Sequence, residues 1–172
     1  MGMIAVFDPN RSIPALVEQL ATLLPACGKR LVTAESCTGG LIAAACTERA
    51  GSSTWFERGF VTYSNEAKQE ALGVDAALID AHGAVSEPVV AAMLEGALEH
   101  SRADWAIAVS GVAGPGGASV DKPVGTVFIG WMARGRDADV VRYALDGDRA
   151  QVRNASVVAA LIGLRERVDP AL

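Results

Sequence analysis

Residues 105–109 read Trp-Ala-Ile-Ala-Val, apolar at every position, and run straight into a glycine-rich segment. A strand that is apolar on both sides must be covered on both sides. That is the situation of a central strand in a parallel sheet with helices on each face. Two shorter runs suit its neighbours, Leu31–Glu35 (Leu-Val-Thr-Ala-Glu) and Gly59–Tyr63 (Gly-Phe-Val-Thr-Tyr). Helical patterns separate all three, and strands alternating with helices predict an α/β sheet joined by right-handed crossovers.

The spacing predicts a first helix over residues 12–27, with Ser12 as cap, Pro14 in the first turn, and Leu16, Leu20, Leu23 and Leu24 on one face. Gly39-Gly40 opens an alanine-rich helix stopped by Gly51, and Ser64-Asn65 caps a helix from Glu66 to Leu72. A short helix follows over Asp75–His82, then a stronger one over Glu87–Ser101 with Pro88 in its first turn. Val124–Ala133 and Asp139–Leu145 read as a hairpin through Arg-Gly-Arg-Asp-Ala, and residues 148–167 as the last helix. The hairpin forces one strand to run against the others. The expected fold is a three-layer α/β/α sandwich around a mixed, mostly parallel five-strand sheet with one antiparallel strand, formed by residues 1–172 as a single domain.

With 172 residues, 51% of them hydrophobic and 20% charged, the chain has the composition of one globular domain. The net charge of −5 argues against a nucleic-acid surface, which needs a basic stripe, but leaves room for an anionic small molecule held by a few arginines. Cys27, Cys37 and Cys46 have no metal-ligand spacing, and His82 and His100 are the only histidines. No zinc set assembles from them, no metal or cofactor is expected, and reduced thiols fit a cytoplasmic protein. The start, Met-Gly-Met-Ile-Ala-Val-Phe-Asp-Pro, lacks the basic-then-apolar pattern of a signal peptide. No apolar window is long enough to span a bilayer.

Ligands of open α/β sheets bind beyond the carboxyl ends of the parallel strands. The first strand ends into Glu35-Ser36-Cys37-Thr38-Gly39-Gly40, the second into Tyr63-Ser64-Asn65-Glu66-Ala67-Lys68, and the third into Ser110-Gly111-Val112-Ala113-Gly114-Pro115-Gly116-Gly117. Three polar segments therefore meet at one edge. Ser36 reads two ways, as a nucleophile beside backbone amides or as a helix N-cap. Lys68 is either the base that activates it, neutral at working pH through desolvation, or a solvated helix lysine. Tyr63 either relays or orients the proton or is a half-buried strand residue. Cys37 is a rival nucleophile with no histidine partner, or an inert buried thiol.

The glycine-rich segment lacks the Gly-Lys-Ser/Thr of a Walker loop, and Tyr63 to Lys68 is one residue longer than the dehydrogenase Tyr-x3-Lys. That segment is either a connecting loop or a place where backbone approaches a ligand. Arg149 and Arg153 share a face of the last helix. They either clamp a phosphate or stand solvated, with Asp146 and Asp148 near enough to pair with Arg149.

The stretches AESCTGGLIAA, FVTYSNEAKQEALGV, GAVSEPVV, AVSGVAGPGGASVDKPVGTVFIGW and GDRAQVRNASV together resemble the CinA C-terminal domain family, in order, over roughly residues 15–165. The resemblance implies a three-layer α/β/α fold and a nicotinamide-nucleotide amidohydrolase, which turns nicotinamide mononucleotide into nicotinic acid mononucleotide and ammonia, and it implies no metal requirement. It matches Ser36 to the motif serine, and Tyr63 and Lys68 to the tyrosine and lysine of the second motif. Longer members carry a further N-terminal domain, and this chain looks like the stand-alone form.

The expected mechanism has Ser36 attacking the carboxamide, Lys68 as base and Tyr63 hydrogen-bonded within the pair. Backbone around Thr38, Gly39 and Gly40 receives the oxyanion. Gly111, Ala113, Gly114, Gly116, Gly117, Arg149 and Arg153 line the rest of the nucleotide site. The partner is thus a small-molecule nucleotide, with no nucleic acid or membrane. A homodimer or larger homo-oligomer is expected, with Trp55-Phe56 either at its contact or in the core. The competing readings are an amidase of another substrate, or a pyridine-nucleotide-binding or assembly module without turnover.

Overall fold

A computed structural model of the chain describes residues 7–168. The first six residues, part of the start that argued against a signal peptide, lie outside them. In chain order the elements are α1 (Ile13–Ala26), β1 (Leu31–Glu35), α2 (Leu41–Glu48), β2 (Phe56–Val61), α3 (Asn65–Leu72), α4 (Ala76–His82), α5 (Glu87–Glu99), β3 (Trp105–Gly111), β4 (Thr126–Ala133), β5 (Asp139–Ala144) and α6 (Arg149–Arg167).

The five strands form one sheet in the order β2-β1-β3-β4-β5. β1 runs parallel to β2 and to β3, while β4 is antiparallel to both β3 and β5. One strand thus opposes four, as the hairpin requires. β1 is buried at all five positions, and its alternate side chains enter opposite layers. Leu31 packs with α1, α2 and α6, and Val32 and Ala34 pack with α3, α4 and α5.

Burial of Leu16, Leu20 and Leu24 fastens α1 into the core it shares with α2 and α6, each side chain contributing about 1.5–3 kcal/mol. Trp131 anchors the same layer. Its Nε1 donates to the Ala160 carbonyl at 2.8 Å, and Arg167 lies 4.0 Å over its ring. Gly163 of α6 leaves the space its ring occupies.

Three expectations are corrected. β2 begins at Phe56 and ends at Val61, because its register against Leu31–Glu35 stops there, so Tyr63 lies beyond the strand. Trp55 is in the core and Phe56 is half-buried against it, which removes Trp55 as a subunit contact. α2 stops at Glu48, and a 3-10 turn at Ser52–Thr54 leads into the edge strand.

The topology gives the sheet edge a polarity. α2, α3 and α6 follow strands that end at the site edge. α1 and α5 connect by short segments to the opposite ends of β1 and β3. These five of the six helices therefore start at the edge where the parallel strands end. Ser12, Ser64 and Asp148 cap the starts of α1, α3 and α6, and each start keeps the positive end of a helix dipole. Among the described residues, no helix is long and apolar enough to cross a membrane.

Candidate active site

Ser36 is the first residue after β1. Its amide donates to the Val109 carbonyl of β3 at 3.0 Å, and its carbonyl accepts from the Gly39 amide at 2.9 Å, closing a tight turn. Gly39 sits at φ +59° and Gly40 at φ +97°, left-handed values that glycine adopts without strain. Gly40, not Ser36, is the N-cap of α2, and no side chain caps it. The cap reading of Ser36 is therefore wrong. Its hydroxyl is turned to a lysine instead.

That lysine is Lys68, from the first turn of α3. Its Nζ lies 3.1 Å from Ser36 Oγ, 2.8 Å from the Thr62 carbonyl and 3.4 Å from the Ser64 carbonyl. Lys68 is 1% exposed, so it is not a solvated helix lysine. No carboxylate pairs with it among the described residues. Burial lowers its pKa from the ordinary 10.5, the larger effect, and the neighbouring Cys37 opposes it. Nζ donates in all three contacts, and an amine that has lost one proton keeps two N–H donors for the carbonyls and turns its lone pair to the Ser36 hydroxyl.

Cys37 is 5% exposed, and burial pushes its thiol up to about 11. At neutral pH it stays protonated, and the inert reading is the better one.

Glu35 is a residue the sequence reading passed over. It is fully buried, and its carboxylate accepts from the Thr38 hydroxyl at 2.7 Å, the Ile42 amide at 2.8 Å, the Ala43 amide at 3.0 Å and, weakly, the Thr33 hydroxyl at 3.4 Å. It ties the turn after β1 to the start of α2. The available signal was an acid at the end of an otherwise buried strand. Because Glu35 takes the first amides of α2, they are not free for an oxyanion. The Gly39 amide is used by Ser36, and the Leu41 amide by Thr38. Among the described residues, the Thr38 and Gly40 amides have no acceptor. The expected donor set Thr38-Gly39-Gly40 thus contracts to Thr38 and Gly40.

Tyr63 does not join the Ser36–Lys68 pair. Its ring is 61% exposed, and its hydroxyl accepts from Arg149 Nη2 at 3.0 Å. Arg149 Nη1 donates to the Gly114 carbonyl at 2.8 Å. Arg149 therefore spans the mouth between the end of β2 and the glycine-rich segment, and the expected pairing with Asp146 or Asp148 is not made. Arg153, one turn on, donates from Nε to the Cys37 carbonyl at 3.1 Å and from Nη2 to the Thr38 carbonyl at 3.2 Å.

In the glycine-rich segment, a Cβ on Gly111 would lie 2.7 Å from Val127, and one on Gly114 would lie 2.6 Å from Val124. These two glycines make room for neighbouring protein, and Ala113 is buried with them. Gly116 and Gly117 are exposed beside the mouth. Ser110 Oγ donates to the Ala84 carbonyl at 2.8 Å, which brings the segment before α5 to the same edge. The groove between α1 and α2, about 390 Å³, is lined by Ile13, Val17, Leu41 and Ala44 and lies apart from this chemistry. Among the described residues, no group of three or more His, Cys, Asp and Glu side chains is placed to hold a metal.

A family model described as the CinA C-terminal domain matches residues 14–168. The chain belongs to the CinA C-terminal domain family. It is 51% identical over 146 residues to the nicotinamide-nucleotide amidohydrolase PncC of Escherichia coli (strain K12), covering 85% of this chain and 88% of that one. A protein of the same name from Enterobacter agglomerans is 49% identical over 158 residues, with 91% and 96% covered. The solved competence damage-inducible protein A (ComA) from Klebsiella pneumoniae subsp. pneumoniae MGH 78578 superposes with a TM-score of 0.88 at 42% identity, covering 91% of this chain and 97% of that one. The three-layer fold expected from the sequence is the fold of this solved structure.

Proposed function

We propose that this chain is a nicotinamide-nucleotide amidohydrolase, acting as one domain on nicotinamide mononucleotide through Ser36 and Lys68. The observation that carries the reading is the Ser36 hydroxyl 3.1 Å from a buried lysine amine that faces only neutral oxygens. Relatives at about half identity, named for this activity, supply the substrate.

In this mechanism the neutral Lys68 amine takes the proton of Ser36 as Oγ attacks the carboxamide carbon. The Thr38 and Gly40 amides receive the oxyanion. Collapse breaks the C–N bond, and the proton on Lys68 leaves with ammonia. Water then attacks the Ser36 ester, giving its proton to Lys68, and Ser36 recovers a proton as nicotinic acid mononucleotide departs. The pyridinium charge of the substrate makes its carboxamide more electrophilic throughout. Tyr63 belongs at the mouth with Arg149 and the Gly116-Gly117 loop, where the Arg149 guanidinium favours the substrate's phosphate.

The test is ammonia release by purified protein from nicotinamide mononucleotide, nicotinamide riboside and nicotinamide. Release is expected from the mononucleotide, with much slower release from the two compounds without phosphate. Equal rates on all three would point to an amidase of another substrate. No release, with the mononucleotide still raising the melting temperature, would favour a binding module.

A further inference from the structure

We propose that Arg153 is a positioning residue of the oxyanion site rather than a phosphate ligand. It holds the turn after Ser36 by two carbonyls and so aims the Thr38 amide at the reacting carboxamide oxygen. This rests on the amidohydrolase reading above.

The guanidinium is already committed. Its Nε and Nη2 reach the carbonyls of Cys37 and Thr38, residues that lie 116 and 115 positions away in the chain. The peptide between Cys37 and Thr38 is trans. In a planar trans peptide the carbonyl and the amide point opposite ways. With the Cys37 carbonyl turned to Arg153, the Thr38 N–H faces away from the guanidinium, and no protein acceptor meets it among the described residues. The same residue is pinned by its side chain, since the buried Thr38 hydroxyl donates to Glu35 at 2.7 Å. One peptide unit is thus held at its carbonyl by a cation and beyond its amide by a carboxylate, and its single free group is a donor two residues from Ser36.

The contact also strengthens that donor. A positive charge on a carbonyl polarises the attached amide, as hydrogen bonds in series do. The approach is close. A Cβ on Gly39 would lie 3.2 Å from Arg153 Nη2, so the turn is seated on the guanidinium. Arg149, one helical turn earlier, shares none of these contacts and faces the mouth instead.

The experiment is steady-state kinetics of Arg153→Gln and Arg153→Lys on nicotinamide mononucleotide and on nicotinamide riboside. A misplaced oxyanion donor should lower kcat by about 10²-fold in Arg153→Gln, within the range seen when such a donor is removed. Arg153→Lys, which can reach one carbonyl at a time, should lose less. KM for the mononucleotide should stay within about three-fold, as for an interaction made in the transition state. The fold-loss should be the same on the riboside. Melting curves of both variants identify any that fail to fold, and if the glutamine variant fails, the lysine variant, which keeps the cation, carries the test. A loss carried by KM, large on the mononucleotide and absent on the riboside, would make Arg153 a phosphate ligand and overturn the proposal. An unchanged kcat would also overturn it. A wild type that releases no ammonia would overturn the amidohydrolase reading and this one with it.

Discussion

Removing the Glu35 carboxylate should loosen the active-site turn and destabilise the whole domain by an amount the contacts bound. Glu35→Ala strips the acceptor from two buried backbone amides, Ile42 and Ala43, and from the Thr38 hydroxyl. Each amide left unsatisfied costs about 1–3 kcal/mol, and the hydroxyl can turn elsewhere. Losing an acidic group at the start of α2 adds about 0.3–1 kcal/mol. Water entering the vacated space and release of the carboxylate's own desolvation offset part of this. The net expectation is a loss of about 2–5 kcal/mol, against a total stability of order 5–15 kcal/mol. For a domain of this size each kcal/mol lowers Tm by about 2–4 °C, so calorimetry should show a fall of roughly 4–20 °C. Glu35→Gln keeps one acceptor oxygen but sets an amide NH2 against a backbone N–H, and should fall about half as far. Both should lose kcat because the Thr38 amide moves. A Glu35→Ala protein melting within about 2 °C of wild type would refute the claim that this carboxylate holds the turn.

Three further outcomes follow from the same geometry. Burial lowers the Lys68 pKa below 10.5, and with the neutral amine proposed as base kcat/KM should rise with pH through the lowered value and then level off. Stability should follow the same sign. The folded chain releases this proton before the unfolded one does, so folding strengthens as pH rises from the lowered value to 10.5 and weakens on the way down. A pH–rate profile with no ascending limb below 10.5, or a Lys68→Met variant within about ten-fold of wild type, would remove Lys68 as base. With its thiol pushed up to about 11, Cys37 should escape iodoacetamide at pH 7.5 while half-exposed Cys27 is labelled, and Cys37→Ala should stay active. Rapid labelling of Cys37 in step with inactivation would restore it as a nucleophile. Gly163→Ala would drive a methyl into the Trp131 ring, which its bond to Ala160 and its contact with Arg167 prevent from yielding. A loss of about 1–3 kcal/mol is expected, read as a Tm lower by roughly 2–12 °C, and an unchanged Tm would contradict this packing.

Much of the fold could be read locally. Leu16, Leu20 and Leu24 announce α1 by spacing, and Trp105–Val109 announces a doubly covered strand by having no polar side. β2 was displaced because its limits come from pairing with Leu31–Glu35, and pairing is not visible in either segment alone. The site was legible as a convergence of strand ends but not as contacts. Serine before two glycines suits a cap or a nucleophile equally, and only the placement of Gly40 as the cap separates them. Lys68 sits in a polar helix, and nothing in that helix says its amine turns under the end of β1. Glu35 was missed because its partners are amides seven and eight residues on, which reach it only after the turn folds back. Tyr63 was expected inside the catalytic pair, yet Arg149, 86 residues away, holds its hydroxyl at the mouth.

The central claim is that Ser36 forms the bond to the carboxamide carbon, and the most direct measurement is kcat and KM of Ser36→Ala for ammonia release from nicotinamide mononucleotide. The account predicts kcat lower by at least about 10³-fold with KM changed only a few-fold, because the hydroxyl acts in the transition state and contributes little to binding. A Ser36→Ala protein that turns over at near the wild-type rate would contradict the account at its root.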